Sequence, residues 1–135
     1  MSKRKKIYLA KVGSPQKREL MRKINQEIEH LNARIQETYN TGEKFKKSLE
    51  VTKFNIQLRN GDPGQNTNVG RGELILKKFK KFIGDFLLEY EGLLEPIKRG
   101  EYSKENYVRL TELKMKLSIN DHLLRTRISE VSVSK

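Results

Sequence analysis

An apolar stripe runs through the first third of the chain. Ser14 and Pro15 form the N-cap and first-turn signature of a helix start. Apolar residues then recur at spacings of three or four, as on one face of a helix. The stripe consists of Leu20, Ile24, Ile28, Leu31, Ile35 and Tyr39. The pattern predicts a helix that starts after Ser14 and ends at Gly42, since glycine is a common C-terminal cap.

The segment 43–59 carries two conflicting patterns. Phe45 and Leu49 have helical spacing, whereas Phe54, Ile56 and Leu58 alternate with polar residues as in a strand. These patterns predict a helix followed by a strand near residues 53–59. Residues 60–72 contain four glycines and one proline, and they predict a Gly-rich loop of a length that is usually functional or disordered.

The stretch KKFKKFIGDFLLEYEGLLEP, residues 77–96, has the widest apolar face in the chain. We expect a core helix from residue 73 to about 95, stopped by Pro96. Its lysines come early and its glutamates late, which is opposite to the preference of the helix dipole. The gradient either serves contacts outside the fold, such as an anion at one end and a sister subunit at the other, or has no role. The apolar face consists of Ile75, Phe79, Phe82, Ile83, Phe86, Leu87, Tyr90 and Leu94.

Two further helices are predicted near the C-terminus. Ser103 is a cap flanked by Tyr102 and Tyr107 at the positions of a hydrophobic staple, and Asn120 is a second cap. Residues 110–129 match a helix-turn-helix that reads DNA, with Asn120 at the cap of its second helix and apolar residues at Leu113, Leu117, Ile119, Leu124 and Ile128. Two departures weaken the match: Lys114 stands where a small buried residue is usual, and Ser118 replaces the turn glycine. A capped corner between two helices, without DNA contact, explains the same pattern.

Both ends of the chain alternate between apolar and polar residues. Residues 6–12 and 129–135 therefore predict short extended segments that can pair with each other or with a neighbouring subunit. The expected fold is mainly α: a small bundle of four to five helices, with short β segments at the termini and near residues 53–59. Residues 1–13 form a basic arm, and residues 14–135 form a single helical domain.

Composition narrows the class of protein. The 135 residues suit one domain, and 35% hydrophobic against 34% charged residues favours thin helices packed through narrow stripes. The absence of cysteine excludes a disulfide framework and a thiolate metal site. Neither a signal-peptide core nor an apolar run of membrane-spanning length is present. We expect a protein of the cytoplasm or nucleoid, or of the interior of a virion.

The net charge of +12 is concentrated at the start of the chain, where residues 1–23 carry nine basic residues and one acidic residue. Such a run suits the phosphates of DNA or RNA, because neutralising them releases counterions. A solubilising tail explains the same charge without a partner. The candidate nucleic-acid-binding residues are Lys3, Arg4, Lys5, Lys6, Lys11, Lys17, Arg18, Arg22 and Lys23 from the arm and first helix, Arg71 from the loop, and Arg125 and Arg127 from the helix-turn-helix.

Catalytic and metal sites are not predicted. Glu27 and His30 have the spacing of half a di-metal motif, but the chain holds no second copy of it. Ser118, Asp121 and His122 are near neighbours in sequence and cannot converge as a catalytic triad does. The Gly-rich loop lacks the lysine of a P-loop. We expect no enzyme activity, no cofactor and no metal.

The sequence thus favours a non-catalytic protein that binds the phosphate backbone of DNA or RNA. A first alternative is a structural subunit of a virion, connector ring or ribonucleoprotein, whose termini clasp neighbouring subunits. A second alternative is a regulatory or inhibitory protein that docks on another protein. Under these alternatives we expect the chain to bind a protein partner or to form a homo-oligomer.

Overall fold

The computed structural model describes residues 14–133 of the chain, and their side chains as far as residue 131. Three long helices account for almost all of this range: α1 (Pro15–Leu58), α2 (Thr67–Lys98) and α3 (Lys104–Val133). A single 3-10 turn, Pro63–Gln65, lies between α1 and α2. The mainly helical bundle is confirmed. The predicted four to five helices are wrong, since the described residues form three, and no strand occurs among them.

The helices run up, down and up. Lys53 Nζ and Glu73 Oε2 lie 2.7 Å apart near the first turn, and the Tyr90 hydroxyl reaches Asn32 Oδ1 at 2.8 Å further along. Residues later in α1 thus contact residues earlier in α2, so these two helices are antiparallel. Lys114 contacts Glu27 and Asp121 contacts Thr38, so α3 runs parallel to α1 and packs against both other helices.

The first helix does not stop at Gly42. It spans 44 residues in all and ends at Leu58. The strand predicted near residues 53–59 is therefore wrong. Phe45 and Leu49 are buried against the rest of the bundle, and this packing carries the helix past the glycine. The strand-like alternation has no structural counterpart, because Phe54 and Leu58 instead lie one helical turn apart on an exposed surface.

The Gly-rich loop is shorter than predicted. It covers residues 59–66, because Asn66 caps α2 by accepting a hydrogen bond from the backbone N–H of Val69 at 3.0 Å. Gly70 and Gly72 therefore belong to the first turns of α2. Gly72 is buried, and a Cβ at this position would lie 3.0 Å from Leu49 Cδ1 and 3.2 Å from Phe45 Cζ. This glycine allows close approach of α1 and α2.

The predicted helix-turn-helix is also wrong, because α3 is one uninterrupted helix through residues 118–120. The Asn120 side chain donates to the carbonyl of Lys116 at 2.9 Å inside the helix, and so it caps nothing. Leu117 and Leu124 are buried on the same face, and Ser118 leaves the helix intact where a glycine would favour a turn. The extended tail predicted for residues 129–135 is helical as far as Val133. Residues 134–135, like the β segment predicted at 6–12, lie outside the described range.

The core consists of two clusters along the bundle. The larger lies around Phe86 and Tyr90 of α2, as expected from the wide apolar face of that helix. It consists of Ile24, Leu31, Phe86, Tyr90, Leu93, Ile97, Leu110, Leu113 and Leu117. The smaller consists of Phe45, Ile75, Leu124 and Val131. The core is thus a thin seam, and most charged side chains remain on the surface.

Candidate nucleic-acid interface

The first turns of α1 are fixed beside the turn that joins α2 to α3. Ser14 caps α1, because its hydroxyl accepts a hydrogen bond from the backbone N–H of Lys17 at 3.1 Å. The Lys17 ammonium donates to the carbonyl of Tyr102 at 3.4 Å. The Lys23 ammonium lies 5.9 Å from the centroid of the Tyr107 ring, within the range of a cation–π contact. These contacts bring the start of α1, the end of α2 and the start of α3 together at one end of the bundle.

This end is rich in basic residues, and we call it the basic end. Residues 14–25 and 95–107 together hold seven basic and four acidic residues. The basic residues are Lys17, Arg18, Arg22, Lys23, Lys98, Arg99 and Lys104.

Ion pairs neutralise only part of the basic end. Arg22 pairs with Glu19 at 2.6 Å, and Arg99 contacts both Glu95 and Glu101. The hydrogen bond from Arg22 also holds the pKa of Glu19 below its usual value. Within the described range, the other five bases take part in no salt bridge, and Arg18, Lys98 and Lys104 are exposed. Among the described residues, the basic end therefore presents charge that no salt bridge neutralises.

The basic arm is joined to the same end. Lys3, Arg4, Lys5, Lys6 and Lys11 lie outside the described residues, but they directly precede Ser14 in the chain. Their point of attachment is therefore the start of α1.

The remaining predicted residues lie elsewhere. Arg71 is exposed in the first turns of α2, towards the opposite end of the bundle. Arg125 Nε donates to Asp121 Oδ2 at 2.9 Å, while Asp121 Oδ1 accepts a hydrogen bond from the buried Thr38 hydroxyl at 2.8 Å. Arg127 is exposed on α3 and lines a shallow groove with Lys78. The structure thus brings together the candidates of α1 and separates them from these three arginines.

Sequence reasoning missed several basic residues. Lys98 and Lys104 flank the turn at Gly100, and their closeness to Lys17 depends on how the helices pack. Further along the bundle, Lys46, Lys77 and Lys80 line a groove of about 370 Å³ between α1 and α2. No local sequence signal connects residues 17, 98 and 104.

Glutamates in the second half of α2, the acidic part of its charge gradient, form ion pairs within the chain. Glu89 pairs with Lys116 of α3 at 3.2 Å, and Glu95 pairs with Arg99. The early lysines, by contrast, are exposed, and Lys81 alone among Lys77, Lys78, Lys80 and Lys81 has an ion-pair partner among the described residues, Asp85.

Other chemistry is sparse in the part of the chain that the structure describes. No group of three or more histidine, aspartate or glutamate side chains converges as metal ligands would. Nor does any described helix combine the length and hydropathy of a membrane span. Glu27, half of the suspected metal motif, instead lies 2.8 Å from Lys114 Nζ.

Comparison of the chain with protein-family models, curated proteins and solved structures found no match. Its function therefore has to be inferred from its own surface. The basic end is the described surface where bases of three helices adjoin the arm.

Proposed function

We propose that this protein binds nucleic acid without catalysis, contacting phosphates through the basic arm and the basic end of the bundle. The observation that carries the proposal is the meeting of the start of α1 with the α2–α3 turn at one end of the bundle. The basic arm precedes Ser14 in the chain and is therefore attached at this end. Five of the bundle's bases there are free of salt bridges within the described range. Sequence readout is not part of the proposal, because α3 has no turn to present a recognition helix.

The size of the basic end suits several phosphates. Each helix is about 10 Å across with its side chains, so an end built from three helices spans roughly 20 Å. Duplex DNA carries one charge per 1.7 Å or so of its axis, and a surface of this width faces several of them. Exposed lysine and arginine side chains contact phosphates without reading bases. The expected binding is therefore insensitive to sequence.

Binding should weaken steeply with salt. If five or six phosphates are neutralised, the logarithm of affinity for arbitrary duplex should fall with a slope on the order of −4 to −6 against the logarithm of salt concentration. Fluorescence anisotropy with one labelled duplex and one labelled RNA measures this slope. Removing residues 2–11 should make this slope shallower. An unchanged slope would show that the arm does not contact phosphates.

A matched pair of variants tests the basic end separately from total charge. The triple variant Arg18→Gln, Lys98→Gln, Lys104→Gln removes three charges from the basic end. The control Lys77→Gln, Lys78→Gln, Lys80→Gln removes three exposed charges from the middle of α2. We expect the first to reduce affinity by about tenfold or more and the second by much less, since exposed charges act over about a Debye length. Equal losses would mean that only net charge matters.

A further inference from the structure

The third helix is apolar on two opposite faces. Its inner face packs into the core through Leu110, Leu113, Leu117, Leu124 and Val131. Its outer face carries four large apolar side chains, which we call the outer stripe: Val108, Met115, Ile119 and Leu123, exposed by 50%, 66%, 54% and 40%. The spacings of seven, four and four keep these residues on one side of a helix. This second face is why the helix shows so little amphipathic character.

The outer stripe differs from the isolated apolar residues of α2. Leu74 and Leu88 are also exposed, but fourteen positions separate them and the exposed Lys81 lies between. In α3, Met115, Ile119 and Leu123 occupy three successive turns. At 1.5 Å of rise per residue, the stripe from Val108 to Leu123 is about 22 Å long. The exposed Glu112 lies between Val108 and Met115, so the uninterrupted part of the stripe is Met115, Ile119 and Leu123, about 12 Å long. Contiguous exposed apolar surface of this kind marks an interaction site.

Charges at the two ends of the stripe are of opposite sign. Glu112 lies in the N-terminal part of the stripe, between Val108 and Met115, and Arg127 lies just beyond its C-terminal end; both are exposed. The two positions are fifteen residues apart, which at about 100° per residue puts them on the same flank of the helix. Neither takes part in an ion pair within the described residues. Arg109 and Lys116 lie on the same flank beside Glu112, and Lys116 pairs with Glu89 of α2. Glu112 and Arg127 are complementary to each other when a second copy is turned end over end.

We propose that two copies of the chain pair through the outer stripes of their α3 helices, antiparallel and with the two-fold axis at Ile119. Ile119 then faces Ile119 of the second copy, and Met115 faces Leu123. In this register Glu112 of each copy lies opposite Thr126 of the other and one residue away from its Arg127, so the Glu112–Arg127 pair can form twice. A parallel pair would set Glu112 against Glu112 and Arg127 against Arg127, which costs free energy. The sequence left a homo-oligomer open as an alternative, and α3 supplies the surface for one.

The dimer is expected to be weak. A stripe about 22 Å long and one helix face wide buries less than the roughly 800 Å² per partner of a standard interface. We therefore expect weak association, with a dissociation constant on the order of 10–100 µM. The pairing is independent of the proposed nucleic-acid binding, and it is measured without nucleic acid.

Sedimentation velocity of the full chain, over a concentration range of about 5–500 µM chosen to span that constant, tests the pairing. The unaltered chain should shift from monomer to dimer. Ile119→Asp should abolish the shift, because two carboxylates would meet at the two-fold axis. The matched control is Leu88→Asp, which places the same charge at the more exposed and isolated apolar residue of α2 and should leave the dimer intact.

Charge exchange tests the antiparallel register. Glu112→Arg and Arg127→Glu should each weaken the dimer by about tenfold, and the double variant should recover most of the loss. Because the chain has no cysteine, Ile119→Cys also creates a unique thiol at the two-fold axis, and mild oxidation should cross-link it efficiently. Val108→Cys, on the same stripe but away from the axis, should not cross-link.

Four results would overturn the proposal. They are a strict monomer throughout the concentration range, a dimer that survives Ile119→Asp, a double charge variant no tighter than its single variants, and cross-linking of Val108→Cys in preference to Ile119→Cys. Circular dichroism establishes that each variant remains folded, which is expected since every altered side chain is exposed.

Discussion

The ring of Phe79 on α2 lies against the backbone of Gly42 in the middle of α1. A Cβ at position 42 would lie 2.8 Å from both Cδ2 and Cζ of Phe79. Gly42 is buried and fully helical, so its role is to admit the aromatic ring rather than to end the helix. The sequence pattern predicted that Gly42 ends a helix, but Gly42 is instead a point at which α1 and α2 touch.

Gly42→Ala should therefore destabilise the fold. Alanine is about 1 kcal/mol better than glycine in a helix interior, but the overlap with Phe79 should outweigh this gain and give a net loss of about 1–3 kcal/mol. Urea unfolding followed by circular dichroism measures the change. Gly92→Ala is the control, because a Cβ there meets nothing within 4 Å, and it should stabilise by about 0.5–1 kcal/mol. Equal stabilisation by both variants would disprove the contact.

The Thr38–Asp121 hydrogen bond should couple α1 to α3. Thr38 is only 2% exposed, so Asp121→Ala leaves a buried hydroxyl without its acceptor and should cost about 1–3 kcal/mol. Thr38→Val should cost about 1 kcal/mol, and the double variant less than the sum of the two. A double-mutant cycle from denaturant unfolding gives the coupling free energy. Asp121→Asn retains an acceptor oxygen and should be milder than Asp121→Ala, whereas strictly additive losses would show that the two residues act independently.

Tyr90 should make stability fall at high pH. Burial raises the pKa of its hydroxyl to about 12, above the value near 10 of an unfolded tyrosine. A group whose pKa is raised on folding stabilises the fold fully below its unfolded pKa, so the contribution is lost as the pH rises from about 10 to about 12. Absorbance of tyrosinate near 295 nm isolates this titration from that of the lysines. Tyr90→Phe should remove an ionisation step near pH 12, and a titration that is unchanged in this variant would show that Tyr90 does not have the raised pKa.

The arginines of the rejected helix-turn-helix should contribute nothing to sequence preference. Arg125 is held by Asp121, and α3 is continuous through the predicted turn. Arg125→Ala with Arg127→Ala should therefore change affinity by less than about threefold, and equally for all duplex sequences. Anisotropy titrations against several unrelated duplexes measure this. A loss of affinity confined to one duplex sequence would contradict this prediction and indicate that α3 reads bases.

Local signals in the sequence located the starts of α1 and α3 correctly, but α2 begins at Thr67 and not near residue 73 as predicted. Ser14 caps α1 as predicted, and Ser103 accepts a hydrogen bond from the backbone N–H of Asn106 at 3.1 Å at the start of α3. The apolar stripe of the first helix also identified the buried face of that helix correctly, since Ile24 and Leu31 are fully buried. Caps and periodicity depend on neighbours within a few residues, which is why they can be read from sequence.

Helix ends and breaks were harder to predict. Gly42, Asn120 and the alternation at residues 54–58 each resembled an interruption, yet each lies inside a helix. At Gly42 the decisive neighbour is Phe79, thirty-seven positions away, and for Asn120 the helix is held by Leu117 and Leu124 packing on the other two helices. Tertiary contacts outweigh preferences of a few tenths to one kcal/mol per residue.

The sequence by itself determined the helical class, the starts of α1 and α3, the inner apolar faces and the concentration of charge in residues 1–23. Only the tertiary structure decided that three helices run unbroken, that Lys17, Lys98 and Lys104 share one end, and that the outer stripe of α3 faces away from the core. Periodicity specifies that a residue lies on a face, but which face is covered depends on the packing of segments far apart in the chain.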